Sequence, residues 1–210
     1  MPKINSVLSY VDRGPWGKSG YRGNCSGYVI KDLIENYFPN SSPKQFIEVF
    51  SGGGTGEDVA KSLGINNSVH LDLINGWNAL TDEIPLQADF IFSHPPYWNI
   101  INYQAVREDI NKDDLSSFDS YENFIKSLNL INKKIYDALL PGGIYAMLIG
   151  DVRKKGQYYS LQKDLDWYGN LIAHLIKIQN NTKMENFQYT NMNFIPILHE
   201  HILVFKKPIP

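Results

Sequence analysis

Phe46-Ile-Glu-Val-Phe-Ser-Gly-Gly-Gly-Thr-Gly56 decides the fold. Apolar residues dominate its first five positions and read as a short buried strand. The glycines then turn the chain sharply, and Glu57-Asp-Val-Ala-Lys-Ser-Leu-Gly64 continues as a helix. A strand, a glycine-rich elbow and a helix open a parallel strand–helix unit, and doubly wound sheets bind their ligands at such elbows. Gly52, Gly54 and Gly56 let the backbone approach a ligand without a Cβ in the way. The helix that follows aims unpaired N–H groups into the same crevice. Asp72 lies 20 residues beyond Gly52, after a second strand, Ser68–Leu71. An acid at that distance suits the ribose hydroxyls of a nucleoside cofactor. No Gly-Lys-Ser/Thr follows the turn, which argues against a phosphate loop. The motif leaves the kind of nucleoside open.

Outward from this unit the alternation of strand and helix continues, the pattern of an α/β domain with a mostly parallel sheet. Residues 27–38 (GYVIKDLIENYF) read as a helix with Val29, Ile30, Leu33, Ile34 and Tyr37 on one face, stopped by Pro39. Residues 88–92 (ADFIF) form a strand that runs into Ser93-His-Pro-Pro-Tyr-Trp98. The polar residues 99–120 read as a long surface loop, a kind that usually carries function. Phe124, Leu128, Ile131, Ile135 and Leu139 recur at helical spacing, with Asp119 and Glu122 as a capping-box-like start and LLPGG (139–143) as the stop. Residues 144–149 (IYAMLI) are a central strand, and a further helix is expected around 165–178. After an Asn-rich stretch, 180–193, FIPIL (194–198) and HILVFKK (201–207) read as antiparallel strands closing one edge of the sheet.

Composition sets the limits. A chain of 210 residues makes one domain, 1–210, with a real core. Hydrophobic residues at 43% and charged residues at 20% exclude a largely disordered protein. With 20 basic and 22 acidic residues the net charge is -2, so a nucleic-acid partner must be gripped by a local basic patch. The single cysteine, Cys25, excludes an internal disulfide and a multi-thiolate metal site. No apolar run reaches membrane-spanning length and none opens the chain as a signal peptide, so a cytoplasmic protein away from membranes is expected.

In Ser93-His94-Pro95-Pro96-Tyr97-Trp98, two prolines remove two donors and fix two φ angles. They leave a rigid carbonyl acceptor with a polar side chain on one side and an aromatic ring on the other. That trio suits an exocyclic amino group on a flat heterocycle.

The pair EVFSGGGTG and SHPPYW resembles the S-adenosylmethionine-dependent DNA amino-methyltransferases, the N6-adenine and N4-cytosine family. Tyr21-Arg-Gly-Asn-Cys25, Leu140-Pro-Gly-Gly143 and HEHILVFKK are similar to further motifs of that family. The resemblance implies a Rossmann-like, doubly wound, seven-stranded sheet with an antiparallel edge strand, the class I methyltransferase fold. It implies S-adenosyl-L-methionine as cofactor, with Glu48, Phe50, Gly52 and Gly54 forming the cofactor loop, Asp72 on the ribose, and Asn24 and Cys25 near the methionine end. His94, Pro95, Pro96 and Tyr97 would hold a base extruded from DNA. Two departures stand out. His94 occupies the family's Asp, Asn or Ser position, with Ser93 one place too early. The chain also lacks room for a separate target-recognition domain, so a specificity subunit or a homodimer is an expected partner.

Methyl transfer to a base amino nitrogen in DNA is therefore the leading expectation. An RNA or a protein glutamine as substrate, and an inactive cofactor-binding subunit marked by His94, are the alternatives. DNA contacts are expected from residues 99–120, from 153–157 with Arg153, Lys154 and Lys155 on the phosphates, and from 180–193. Trp16, Lys18 and Arg22 form a second basic-aromatic group, and Trp77 and Asn78 are placed to border an adenine. His199 and His201 share one side of a strand, and without an evident third ligand no metal is expected there.

Overall fold

The computed structural model describes residues 4–104, 110–180 and 195–210. The elements run β1 (Val7–Leu8), α1 (Gly27–Tyr37), β2 (Phe46–Val49), α2 (Thr55–Ser62), β3 (Ser68–Leu71), β4 (Ala88–Ser93) and α3 (Tyr121–Ala138). They continue with β5 (Leu139–Ile149), β6 (Val152–Lys154), β7 (Gln157–Tyr159), α4 (Leu161–Asp164), β8 (Asn170–Ile178) and β9 (His199–Lys206). Seven strands form one sheet in the order β1-β8-β9-β5-β4-β2-β3, and β6 and β7 form a separate hairpin. β2 pairs in parallel with both β3 and β4, and β4 with β5. The carboxyl ends of β2 and β4, where the glycine turn and His94 begin, are thereby side by side.

Each face of the sheet has its own core. Alternation along the strands sends Phe46, Phe90, Phe92 and Ile202 toward α1 and α2, and Ile47, Ile91, Met147 and Leu203 toward α3. The helices answer with Val29, Ile30, Leu33 and Val59 on one side and Phe124, Leu128, Ile131 and Ile135 on the other, all fully buried or nearly so. Each such side chain contributes about 1.5–3 kcal/mol by leaving water. Among the described residues no helix is long and apolar enough to cross a membrane.

Several expectations needed correction. Residues 170–178 are strand β8, not a helix: the run NLIAHLIKI pairs with β1 and with β9. A short apolar run has no decisive period of its own, and the two neighbouring strands settle it. The antiparallel strand is β9, and it lies inside the sheet between β5 and β8. Residues 195–198 form no strand, and Phe194 lies outside the described residues. LLPGG ends α3 as expected, with Leu139 as the C-cap, but it does so as the start of β5 and not ahead of it. Leu139 already pairs with Ala88, and the register shifts before Phe90 meets Ile144, so Pro141 and both glycines sit in the irregular start of β5. The N-cap of α3 is Ser120, whose Oγ accepts from the Asn123 N–H at 3.1 Å while donating to Glu122 at 2.9 Å.

Candidate active site

The glycine turn is built around Glu48. This carboxylate is buried at the end of β2 and spends one oxygen on the Gly56 N–H at 3.1 Å and the other on His70 Nδ1 at 2.7 Å. Burial pushes its pKa up, and the His70 contact opposes that rise. Glu48 thus anchors the start of α2 from below, and Gly56 is required because a Cβ there would meet the carboxylate at 2.4 Å. Gly54, the N-cap of α2, has φ 82, the left-handed region that glycine enters without strain.

Asp72 joins the turn to β3. Its Oδ2 accepts from the Gly52 N–H and its Oδ1 from the Ile74 N–H, both at 2.9 Å. A carboxylate has about four lone-pair sites, so each oxygen keeps one acceptor position for a diol. Asn24 clamps the turn from above, accepting from the Gly53 N–H at 3.2 Å and donating to the Lys18 carbonyl at 2.8 Å. Cys25 is buried, and burial together with Glu48 pushes its thiol up to about 12, which makes it a packing residue with little thiolate.

These groups line one cleft of about 750 Å³, counting its open mouth. Glu48, Phe50, Gly52, Asn24, Cys25 and Asp72 are all on its wall, and so are His94 and Pro96 from the second motif. Thr55 and Tyr103 are among the lining residues that the sequence does not single out. Thr55, at the first position of α2, has a buried hydroxyl with no hydrogen-bond partner among the described residues. Tyr103 stacks on Tyr21 with ring centroids 6.0 Å apart, and the Tyr21 ring covers Gly52. Trp77 lines the cleft as expected, but Asn78 is tied to Asp82 and Asp113 instead.

At the other end of the cleft a chain of hydrogen bonds fixes His94. Tyr97 donates its hydroxyl proton to Glu200 Oε1 at 2.7 Å, so the Nε2 of His94, 2.9 Å from that hydroxyl, must be the donor to it. Nε2 then carries the proton and Nδ1 is the acceptor of the neutral ring. Lys177 holds the other oxygen of Glu200. Burial lowers the His94 pKa to about 4, with Glu200 working against the shift, so the imidazole is neutral at physiological pH. Glu200 and Lys177 were not foreseen, although a buried carboxylate within the largely apolar strand HEHILVF is itself a signal.

Two of the proline-motif expectations change. Pro95 is buried, and Tyr97 packs one side of its ring on Gly150, where a Cβ would lie 2.5 Å away. Tyr97 therefore supports His94 and is not a lining residue of the cleft. Ser93 is buried and bonds the Tyr145 hydroxyl at 2.8 Å, which in turn donates to Asn132 at 3.0 Å. That commits Ser93 to the core and leaves His94 as the polar side chain of the motif.

The basic groups also sort out. Lys154 is held by Asn99 at 2.7 Å and lies 4.2 Å over the Trp98 ring, while Arg153 stacks on Tyr158 and reaches the Ile195 carbonyl. Lys155 is exposed at the hairpin tip. Trp16 packs on Gly27 and Tyr28, a structural position. Residues 105–109 and 181–194 lie outside the described residues, so the expectations for those parts of the loops fall there too. His199 and His201 do have a third neighbour: the fold brings Asp151 to them.

No family model and no curated protein matches this sequence. Solved structures do. The N-methyltransferase NodS from Bradyrhizobium japonicum WM9, in complex with S-adenosyl-L-homocysteine, superposes with a TM-score of 0.51 at 9% identity, over 87% of this chain and 85% of NodS. TTHA0409 from Thermus thermophilus, named as a DNA modification methylase and complexed with S-adenosyl-L-methionine, gives 0.43 at 16% identity, over 79% of this chain and 56% of its own. TrmN from Thermus thermophilus gives 0.46 at 12% identity, over 89% of this chain and 50% of its own. This chain spans about half the length of the latter two. The fold is that of the class I methyltransferases: a seven-stranded, mostly parallel sheet with one antiparallel strand inside it.

Proposed function

We propose that the protein transfers a methyl group from S-adenosyl-L-methionine to the exocyclic amino nitrogen of a base in DNA, N6 of adenine or N4 of cytosine. The observation that carries this reading is one cleft walled by the glycine turn and Asp72 at one end and by His94 and Pro96 at the other. The residues fit the cofactor. Asp72 keeps acceptor capacity for ribose hydroxyls, and the Thr55 hydroxyl, unpartnered among the described residues, lies in the wall at the start of α2, where partial positive charge favours a carboxylate. Bound S-adenosyl-L-methionine supplies an already electrophilic methyl carbon.

The protein's own part is alignment. His94 Nδ1 accepts one amino hydrogen and the Pro95 carbonyl, on a backbone stiffened by two prolines, is our choice for the other. Both bonds localise the nitrogen lone pair and hold it in line with the methyl group. A base must leave the duplex to reach this depth, which favours sites where extrusion costs only a few kcal/mol. Exposed Lys155, at the tip of the β6–β7 hairpin, is a candidate phosphate contact.

Asp72→Ala removes the bonds to the ribose and also those to Gly52 and Ile74, and is expected to weaken S-adenosyl-L-methionine binding about ten- to hundred-fold, equivalent to ~1.5–3 kcal/mol. Calorimetry with an unchanged Kd would overturn the cofactor assignment. Tritium transfer from labelled cofactor to DNA, RNA and protein tests the substrate. Label in DNA, recovered as methyladenine or methylcytosine, supports the proposal, and label only in RNA or protein refutes it.

A further inference from the structure

Asp151, His199 and His201 converge on the face of β9 opposite the Tyr97 network. The two histidines alternate along the strand and share a side, while Glu200 between them turns to the other face. Asp151 follows β5, whose Ile149 is in register with His201. One ligand atom from each of the three residues lies within 4.8 Å of the others.

Two features of this cluster ask for a cation. The Asp151 side chain is only 5% exposed, and its Oδ1 is buried with no hydrogen-bond partner among the described residues. Its Oδ2 accepts from Tyr158 at 2.6 Å and from Ser160 at 3.5 Å. A buried, unmatched carboxylate oxygen is costly. The second feature is the His201 ring. Its Nδ1 lies 2.9 Å from His174 Nε2, and its Nε2 lies 3.4 Å from Asp151 Oδ2. That last distance is long for a charge-assisted hydrogen bond. With its proton on Nε2 the ring hydrogen-bonds Asp151; with the proton on Nδ1, donated to His174, the Nε2 lone pair faces the carboxylate and is free to take a metal ion beside it. A metal ion satisfies both.

We propose that Asp151, His199 and His201 bind a divalent transition-metal ion of the zinc class. Two imidazoles and one carboxylate are a donor set for zinc and its neighbours, whereas magnesium and calcium select oxygen-only sites. His174 takes the outer position that orients a ligating imidazole. Water completes the coordination. The ion acts as a fastener. It ties the end of β5 to β9, and through Tyr158 and Ser160 on Asp151 it holds the hairpin that carries Arg153 and Lys154. Gly150 packs on Tyr97 and Glu200 sits between the two histidine ligands, so the fastener stands directly behind the support of His94. The site is independent of the methyl-transfer reading.

The test uses the full chain without a polyhistidine tag, freed of metal by a chelator, and titrated with Zn2+ by calorimetry and with Co2+ by visible absorption. One Zn2+ per chain is expected, with Co2+ d–d bands of a low-coordinate site. The thermal midpoint should rise with Zn2+ and stay put with Mg2+. His199→Ala alters the most exposed ligand, and Asp151→Asn keeps the side chain's shape. Each should weaken Zn2+ binding at least ten-fold. Absence of stoichiometric binding by the wild type overturns the proposal, whatever becomes of the variants. So does an equal Zn2+ affinity in the wild type and both variants.

Discussion

Gly56→Ala is expected to destabilise the protein by about 2–4 kcal/mol, far beyond the effect of one methyl group on an ordinary helix. The new Cβ would fall 2.4 Å from the carboxyl carbon of Glu48, well inside contact distance. Glu48 has nowhere to withdraw, because it is buried and bound to both the Gly56 N–H and His70. Moving it aside would strand His70 and an N–H at the start of α2. The damage should reach the cleft as well, since this contact sets where the glycine turn meets α2. Denaturation midpoints measure the loss. The double variant Glu48→Ala/Gly56→Ala should be less destabilised than the sum of its parts, because truncating Glu48 removes the collision. Strict additivity, or a single-variant loss under about 0.5 kcal/mol, would mean that Glu48 steps aside freely, contrary to the packing described.

Glu48 also shows what the sequence can and cannot convey. The strand, the turn, the helix and the position of Asp72 were all legible, because local pattern and glycine chemistry dictate them. The role of Glu48 was not. A carboxylate beside a glycine turn looks like a ligand-binding group until its oxygens are seen to be taken by Gly56 and His70. His94 could be located from its motif, but its tautomer depends on Tyr97, Glu200 and Lys177, and Glu200 is 103 residues from Tyr97 in the chain. Asp151 and His201 are likewise 50 residues apart and meet only because β5 and β9 pair. β8 was misread for a related reason: its identity resides in its two partner strands rather than in its own spacing. Local chemistry reads from the chain, and groups assembled across the sheet do not.

The cleft's chemistry converges on His94, and its replacement carries the largest expected effect on turnover. Under the function proposed above, His94→Ala should lower the rate of methyl transfer by ~10²–10³-fold, the range for losing one positioned hydrogen-bonding group, while cofactor affinity changes less than about two-fold. The pH dependence separates an acceptor from a filler. Burial holds the His94 pKa near 4, below its ordinary value of 6.5. The rate should therefore stay level through neutral pH and fall only as the medium approaches pH 4, where Nδ1 gains a proton and can no longer accept. Stability follows the same group with a definite sign. The depressed folded pKa means the unfolded chain binds more protons between about 4 and 6.5, so this contribution is whole above 6.5 and is lost as pH falls toward 4. His94→Asn keeps an acceptor that does not titrate, so it should retain part of the activity, lose the acid limb of the rate, and lose only His94's share of the fall in stability, since Asp151 and Glu200 still titrate. Tyr97→Phe removes the group that fixes the Nε2 proton and should lower turnover without abolishing it, leaving cofactor affinity intact. Rates and stabilities of the four proteins from about pH 4 to 8 decide the matter. Equal turnover with the same acid limb in all of them would take His94 out of the reaction and leave the proline backbone as the only aligning element.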